Sequence, residues 1–180
     1  MTCIAVVKHD DKVYMAGDRG ASDDGTILAL DAPKVWKIGP YLIGYAGAMD
    51  GERIRYNFKP TAPNIKDTDK FMLNEFTKAL KEFYDEHFLF STQDKEADFG
   101  MIIVVNGLMY EHDAGVMSMT RFATNHLSVG SGSEYAYGSL HSTEAWSDGK
   151  KRVRIAVDAA TKYSTSCMGP IDVVEVLHTK

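Results

Sequence analysis

The sequence has little of what several classes of protein require. Cys3 and Cys167 are its only cysteines, and no CxxC spacing is present for a zinc site. No apolar run is long enough to cross a membrane. Segment 1–7 lacks the basic start and the long apolar centre of a secretion signal. We therefore expect a cytoplasmic protein that does not enter a membrane.

Basic charge is also scarce. The 20 Lys and Arg residues are outnumbered by 25 Asp and Glu, which gives a net charge of −5 and no broad basic surface for nucleic acid. The basic cluster at 150–154 is small and is interpreted as the solvated start of a helix. The six histidines show no spacing typical of metal ligands. We expect no nucleic-acid partner, no metal and no cofactor.

What is present is a globular composition. An apolar fraction of 44% and a charged fraction of 25% over 180 residues are enough for one sizeable core. We find no internal repeat, low-complexity tract or linker, so we expect a single domain over 1–180.

Hydrophobic patterning places strands and helices in separate groups. Turn signals at Gly39-Pro40 and Asn106-Gly107 mark two hairpins. Strands are predicted at 4–7, 13–16, 34–38, 41–45, 99–105, 108–111 and 171–177, and helices at 48–58, 70–87, 153–163 and from 130–133 to about His141. Hairpins segregated from helix pairs predict an α+β layered sandwich rather than an alternating parallel sheet.

Thr2 stands directly before the first apolar strand. Threonine is small enough that methionine trimming would remove Met1 and expose a free N-terminal threonine. Such a residue carries a nucleophilic hydroxyl and a basic amine together, which activates a hydroxyl without histidine. The alternative is an ordinary strand start, since threonine is common at position two.

Several motifs occur in one order along the sequence. They are Thr2, Ala16-Gly17-Asp18, Lys34 before a strand, Ile43-Gly44-Tyr45-Ala46-Gly47, Gly130-Ser131-Gly132 with Tyr135-Ala136-Tyr137-Gly138, and Ile171-Asp172-Val173. In this order and spacing they resemble proteasome β-subunits and, more closely in length and start, HslV-type peptidases. That resemblance implies an N-terminal-nucleophile (Ntn) hydrolase with a four-layer αββα sandwich, acting as a threonine protease.

The resemblance also implies a role for each of five catalytic residues. Thr2 would attack a peptide carbonyl while its own α-amine accepts the proton, and Asp18 would hold Lys34 beside it as a cation. The backbone N–H of Gly44 would stabilise the oxyanion, and Ser131 would lie near the amine. The structural alternatives are surface charges at Asp18 and Lys34, a packing glycine, and a helix cap at Ser131.

One segment departs from the resemblance. Where proteasome β-subunits carry an aspartate and, further on, a serine, this sequence has Ser164 and Cys167, with no carboxylate in 163–166. The departure puts a complete proton relay in doubt.

The same resemblance implies how substrate and partners bind. An apolar first substrate pocket would be formed by Ala21, Trp36, Leu42, Ala46 and Met49. Ser22 and Gly47 would add backbone hydrogen bonds to an extended peptide. The expected substrate is a peptide or unfolded protein, and the expected assembly is a homo-oligomeric ring fed by an ATP-dependent unfoldase. Two rival functions stay open: a catalytically inactive structural subunit on the same fold, and an Ntn amidase acting on a small amide.

Overall fold

The elements of the fold are taken from a computed structural model that describes residues 2–23, 26–47, 51–63, 66–87 and 99–178. The strands are β1 (Ile4–His9), β2 (Lys12–Gly17), β3 (Gly20–Asp23), β4 (Thr26–Ala29), β5 (Val35–Ile38), β6 (Tyr41–Gly47), β7 (Phe99–Val105), β8 (Leu108–Asp113), β9 (Ser118–Arg121), β10 (His126–Val129) and β11 (Asp172–Leu177). The helices are α1 (Gly51–Asn57), α2 (Thr68–Phe71), α3 (Thr77–Glu86), α4 (Ser133–Ser142) and α5 (Gly149–Tyr163), and a π-helical segment (Met72–Phe76) joins α2 to α3.

The described strands form two larger antiparallel sheets and one small hairpin. The first sheet has the order β10-β1-β2-β11, and the second has the order β5-β6-β7-β8-β9. The hairpin pairs β3 with β4. Asn106 and Gly107 both have positive φ, which is the conformation that a tight two-residue turn between β7 and β8 requires.

Three apolar clusters separate four layers. One cluster lies between the two sheets and includes Ile4, Met15 and Ile102. A second joins the first sheet to α4 and α5. A third joins the second sheet to the helices between 51 and 86. The predicted α+β, four-layer αββα sandwich is therefore confirmed.

Helix α3 shows why the helical layer forms. Its buried residues Leu80, Phe83 and Tyr84 recur at helical spacing, while the positions between them face solvent. Phe83 packs edge-on against Phe58, and Tyr84 packs edge-on against Phe99 of the sheet. Burying each such ring contributes roughly 1.5–3 kcal/mol, so this face fixes the helix on the sheet.

The structure also corrects the predicted bounds. Helix α5 begins at Gly149, not at residue 153, because the Asp148 carboxylate accepts the Lys151 N–H at its N-cap. Strands β3, β4, β9 and β10 were not predicted. The first three residues of the predicted helix 48–58 lie outside the described residues. None of the helices in the described ranges combines the length and apolarity needed to cross a membrane.

Candidate active site

Thr2 lies at the start of β1, between the ends of β10 and β2. Its backbone carbonyl accepts the Gly132 N–H at 3.1 Å, and the next residue, Cys3, donates its N–H to Asp18 Oδ1 at 2.9 Å. Thr2 is almost fully buried yet borders a cleft. Its nitrogen donates to Ser131 Oγ at 3.2 Å. While Met1 is attached this nitrogen is an amide, and removal of Met1 converts it to an amine.

The ammonium of Lys34 contacts the threonine hydroxyl. Its Nζ lies 2.9 Å from Thr2 Oγ1 and 3.1 Å from Asp18 Oδ1, and it also donates to the Gly20 carbonyl. Burial lowers the pKa of Lys34, and the neighbouring Asp18 carboxylate opposes that shift. The geometry places a cation where an alkoxide on Thr2 would form.

Asp18 is fully buried and orients the cation. Its Oδ2 accepts backbone N–H groups from Gly20 at 2.8 Å and from Met168 at 3.1 Å, and its Oδ1 accepts the Cys3 N–H. A buried carboxylate with several donors keeps its position and its charge at lower cost than an unpartnered one. Asp18 therefore holds the backbone at Cys3, Gly20 and Met168 around Lys34.

An ion pair braces the turn that follows Asp18. The Arg19 guanidinium binds both Asp172 oxygens, at 2.6 and 2.8 Å, and the Arg19 N–H donates to the Met168 carbonyl. Planar two-point pairing of this kind fixes orientation as well as distance. Asp172, which the sequence motif included without a role, thus anchors the segment from Asp18 to Gly20.

Ser131 does not cap helix α4, so the alternative interpretation of this serine as a helix cap is wrong. Gly132 occupies the N-cap position, and no side chain makes a cap hydrogen bond there. The Ser131 hydroxyl instead contacts Thr2 N and lies 2.8 Å from Ser166 Oγ. Ser166 Oγ in turn lies 2.7 Å from Ser164 Oγ. We call Ser131, Ser166 and Ser164 the hydroxyl chain.

Sequence reasoning missed Ser166. The family resemblance pointed to Ser164 at this place, but the residue that contacts Ser131 lies two positions further along, at Ser166. Residues 165 and 166 form a turn just past helix α5, in which the Ser166 N–H donates to Ser164 Oγ, and no local pattern in 163–166 indicates the contact with Ser131.

A cleft of about 720 Å³ opens beside Thr2. Five of the predicted substrate-binding residues line it: Ala21, Ser22, Trp36, Ala46 and Gly47. Met49 lies outside the described residues. Leu30, Ala32 and Pro33 extend the apolar wall next to Lys34. Most of the predicted substrate-binding residues that the structure describes therefore line one cleft.

Leu42 is the exception, and its predicted place in the pocket is wrong. It is completely buried in the cluster between the two sheets. Strand residues alternate faces, so Leu42 shares a face with Gly44 and Ala46. Only Ala46 of these lies far enough along β6 to reach the cleft.

Gly44 is not placed to stabilise an oxyanion in the cleft. Tyr45 N–H donates toward β5, to the Lys34 carbonyl, so by alternation the Gly44 N–H points the other way, toward Ile102 of β7. A Cβ on Gly44 would lie 2.5 Å from the Ile4 side chain. Close packing therefore explains this glycine. By the same alternation the N–H of Gly47 points away from β7, past the end of β5.

Part of the cleft lining is acidic. Glu111 and Asp113 of β8 line the cleft, and neither was predicted as a site residue. Burial raises the pKa of Glu111, and the Asp113 carboxylate adds to this shift. The His112 ring faces the helical layer, with Nδ1 2.7 Å from the Ser118 carbonyl and its centroid 5.9 Å from that of Tyr84. Among the residues that the structure describes, no three His, Cys, Asp or Glu side chains group to hold a metal.

The sandwich, with a threonine just before β1 and a lysine beside its hydroxyl, has an HslV-like fold. Solved structures support this over nearly the full length of the chain. Thiobacillus denitrificans BPH in complex with epoxomicin matches with a TM-score of 0.77 and 17% identity, covering 99% of this chain and 100% of that one. T. denitrificans BPH is also similar in a second structure, with a TM-score of 0.77 and 19% identity over 99% of both chains.

Eukaryotic HslV from Trypanosoma brucei matches with a TM-score of 0.73 and 21% identity, covering 98% of this chain and 100% of that one. At these identities the likeness is one of fold. No family profile and no curated protein sequence matches the chain.

Proposed function

We propose that this protein is a threonine-type peptidase subunit whose nucleophile is Thr2 after removal of Met1. The observation that carries the proposal is the 2.9 Å contact between Lys34 Nζ and Thr2 Oγ1, beside a nitrogen that becomes an α-amine. A hydroxyl, a base and a buried cation are the three components that an N-terminal nucleophile needs.

The chemistry follows from these atoms. Thr2 Oγ1 would attack the scissile carbonyl carbon as its proton passes to the α-amine, directly or through a water. An α-amine has a pKa of about 7.7–8.0, so it is a competent base near neutral pH. Lys34 would stabilise the developing negative charge on Oγ1, and the Gly47 N–H, rather than Gly44, would stabilise the oxyanion.

The intermediate would then collapse to an ester on Thr2. The α-amine returns its proton to the departing peptide amine, and the C–N bond breaks. A water molecule, deprotonated by the same amine, attacks the ester and restores the Thr2 hydroxyl. Every proton is returned, so the residues of the site complete the cycle.

An extended peptide is the substrate that the cleft favours. Strand β3, with Ala21 and Ser22, and the end of β6 at Gly47 border the cleft from two sides and offer backbone groups to an added strand. The apolar wall supports a preference for an apolar residue before the scissile bond. A fluorogenic peptide panel with faster turnover after acidic or basic residues would contradict this preference.

We propose that the protein acts as one domain over 1–180 in a homo-oligomeric ring fed by an ATP-dependent unfoldase in the cytoplasm. Exposed aromatic residues such as Tyr56, Tyr135 and Tyr163 supply surface suited to subunit contacts. Mass photometry is expected to show a ring, and a monomer at working concentration would contradict it.

The decisive test is the intact mass of the purified protein with and without epoxomicin. We expect a mass lacking Met1 that gains one epoxomicin, mapped to Thr2 by peptide sequencing. Thr2→Ala removes the hydroxyl with little change in packing, so this variant should fold, show no adduct and lose turnover.

A protein that retains Met1 and forms no adduct would instead be an inactive subunit on the same fold. A protein that forms the adduct but cleaves only small amides would be an Ntn amidase.

A further inference from the structure

The hydroxyl chain leads away from Thr2 into the protein and contains no carboxylate. Ser131 is exposed at the cleft, Ser164 is half-buried, and Ser166 between them is only 5% exposed. The two O···O distances, 2.8 and 2.7 Å, are those of good hydroxyl hydrogen bonds.

Counting protons shows that these bonds can all run in one direction. A serine hydroxyl has one proton to donate and two lone pairs to accept with. Ser131 Oγ accepts from Thr2 N, and Ser164 Oγ accepts the Ser166 N–H at 3.2 Å. If Ser131 then donates to Ser166, and Ser166 to Ser164, each acceptor stays within its two lone pairs and the donors run in one direction from Thr2 to Ser164.

We propose that Ser166 is a positioning residue, which accepts the Ser131 proton and so keeps Ser131 an acceptor for the Thr2 amine. The inference rests on the proposed function. With its N–H donated to Ser131, the amine is oriented to accept the Thr2 Oγ1 proton on its lone pair. Without Ser166, the Ser131 proton is free to rotate toward the amine lone pair and compete for it.

The hydroxyl chain supplies this orientation without adding charge. A carboxylate at the same place would favour the ammonium form of Thr2 and weaken the base at neutral pH. The titratable groups packed around this region are Lys34, Asp18, Cys3 and Cys167. Burial raises the pKa of Cys3 to about 12 and raises that of Cys167, so both thiols stay neutral. Glu111 and Asp113 also line the cleft.

The test compares three variants of the Met1-free protein: Ser166→Ala, Ser166→Thr and Ser166→Asp. Peptide kcat and KM, and the rate of epoxomicin adduct formation, are measured from about pH 5.5 to about pH 9.5, across the ordinary amine pKa. Ser166→Ala should lower kcat about ten-fold with KM unchanged, because misplacing a reacting group by ~1 Å costs up to ~100-fold.

The other two variants separate the hydroxyl from packing and from charge. Ser166→Thr keeps the hydroxyl and should restore most of the lost kcat. Ser166→Asp introduces a carboxylate and should move the acid limb of the rate profile upward by about one pH unit.

Each contrary outcome has a definite meaning. A folded Ser166→Ala protein with wild-type kcat and acid limb overturns the inference, as does an equal loss in the alanine and threonine variants. If Ser166→Ala does not fold, Ser164→Ala removes the last acceptor instead, and an unchanged kcat there overturns it equally. A wild-type protein that loses Met1 and still forms no adduct overturns the proposed function, and the inference with it.

Discussion

Lys34 is a buried charge whose role in the site can be tested separately from its contribution to the fold. If Lys34 is replaced by alanine, Asp18 still accepts three backbone N–H groups, so the fold should persist. Turnover should fall by about 100-fold or more, since the cation at Thr2 Oγ1 is lost. Lys34→Arg should also be impaired, because a planar guanidinium does not replace a compact ammonium at a three-way contact. The measurements are peptide kcat/KM and thermal unfolding.

Lys12→Ala is the matched control for that prediction. Lys12 is a partly exposed lysine paired with Glu175 on the first sheet, at the opposite end of β2 from Asp18. Its removal should leave kcat/KM within about two-fold, since an exposed ion pair contributes little. A Lys34→Ala protein as active as Lys12→Ala would contradict the proposed role of the cation.

At the scale of residues, the sequence predicted which side chains of the site lie together better than it predicted the direction in which a backbone N–H points. The order of the motifs was enough to associate Thr2, Asp18 and Lys34, which the structure brings within hydrogen-bond distance. It was not enough to choose between Gly44 and Gly47, because a shift of one residue reverses the direction of an N–H in a strand. The contact between Ser131 and Ser166 spans 35 positions and leaves no local pattern.

At the scale of elements, length and periodicity decided what was predictable. The long apolar run of β7 and the helical spacing in α3 identified both elements. Strands β9 and β10 have four residues each and no strong alternation, so their extended form depends on pairing with neighbours. Of these strands, β10 is the most important for the site, since Gly130 and Ser131 follow directly after it.

The packing of the two sheets on each other gives an element-scale prediction. Gly44→Ala would place a Cβ 2.5 Å from Ile4 Cγ2 and 2.9 Å from Met15 Sδ, within the layer between the sheets. We expect a loss of about 1–3 kcal/mol in the free energy of unfolding, as for other overpacked cores. Urea unfolding monitored by tryptophan fluorescence measures it.

Gly138→Ala provides the comparison for Gly44→Ala. A Cβ on Gly138 has nothing within 4 Å, and the residue is exposed in the middle of α4. Alanine there should stabilise the protein by roughly 0.5–1 kcal/mol, because it lowers the backbone entropy of the unfolded chain. Equal effects of the two substitutions would contradict the packing role assigned to Gly44.

At the scale of the whole molecule, the four layers explain where the site lies. Both sheets contribute to the cleft, since Ala46 and Gly100 of the second sheet line it together with Thr2, which directly precedes the first strand of the first sheet. Each sheet is held on its outer face by its own helices, through separate clusters. The proposed catalytic groups, which come from distant parts of the sequence, thus lie on two braced surfaces, and this is the pre-organisation that the proposed chemistry requires.

The burial of His112 beneath the helical layer predicts how global stability depends on pH. Burial lowers the pKa of His112 below its ordinary 6.5, so the unfolded protein binds the proton more readily than the folded one. The contribution of the neutral, buried His112 to the free energy of unfolding is therefore present above pH 6.5 and is lost as the pH falls through and below that value. His126 is shifted in the same direction, whereas the raised pKa of Glu111 acts in the opposite sense at lower pH.

We expect the free energy of unfolding to decrease from about pH 7.5 to about pH 5.5, and His112→Asn to flatten that decrease. Asparagine keeps a donor toward the Ser118 carbonyl but cannot titrate, so the slope against pH is the informative quantity, whatever the change in absolute stability. Urea unfolding at a series of pH values provides the slope for both proteins. Parallel curves for wild type and variant across this interval would show that the buried imidazole does not govern the acid sensitivity of the fold.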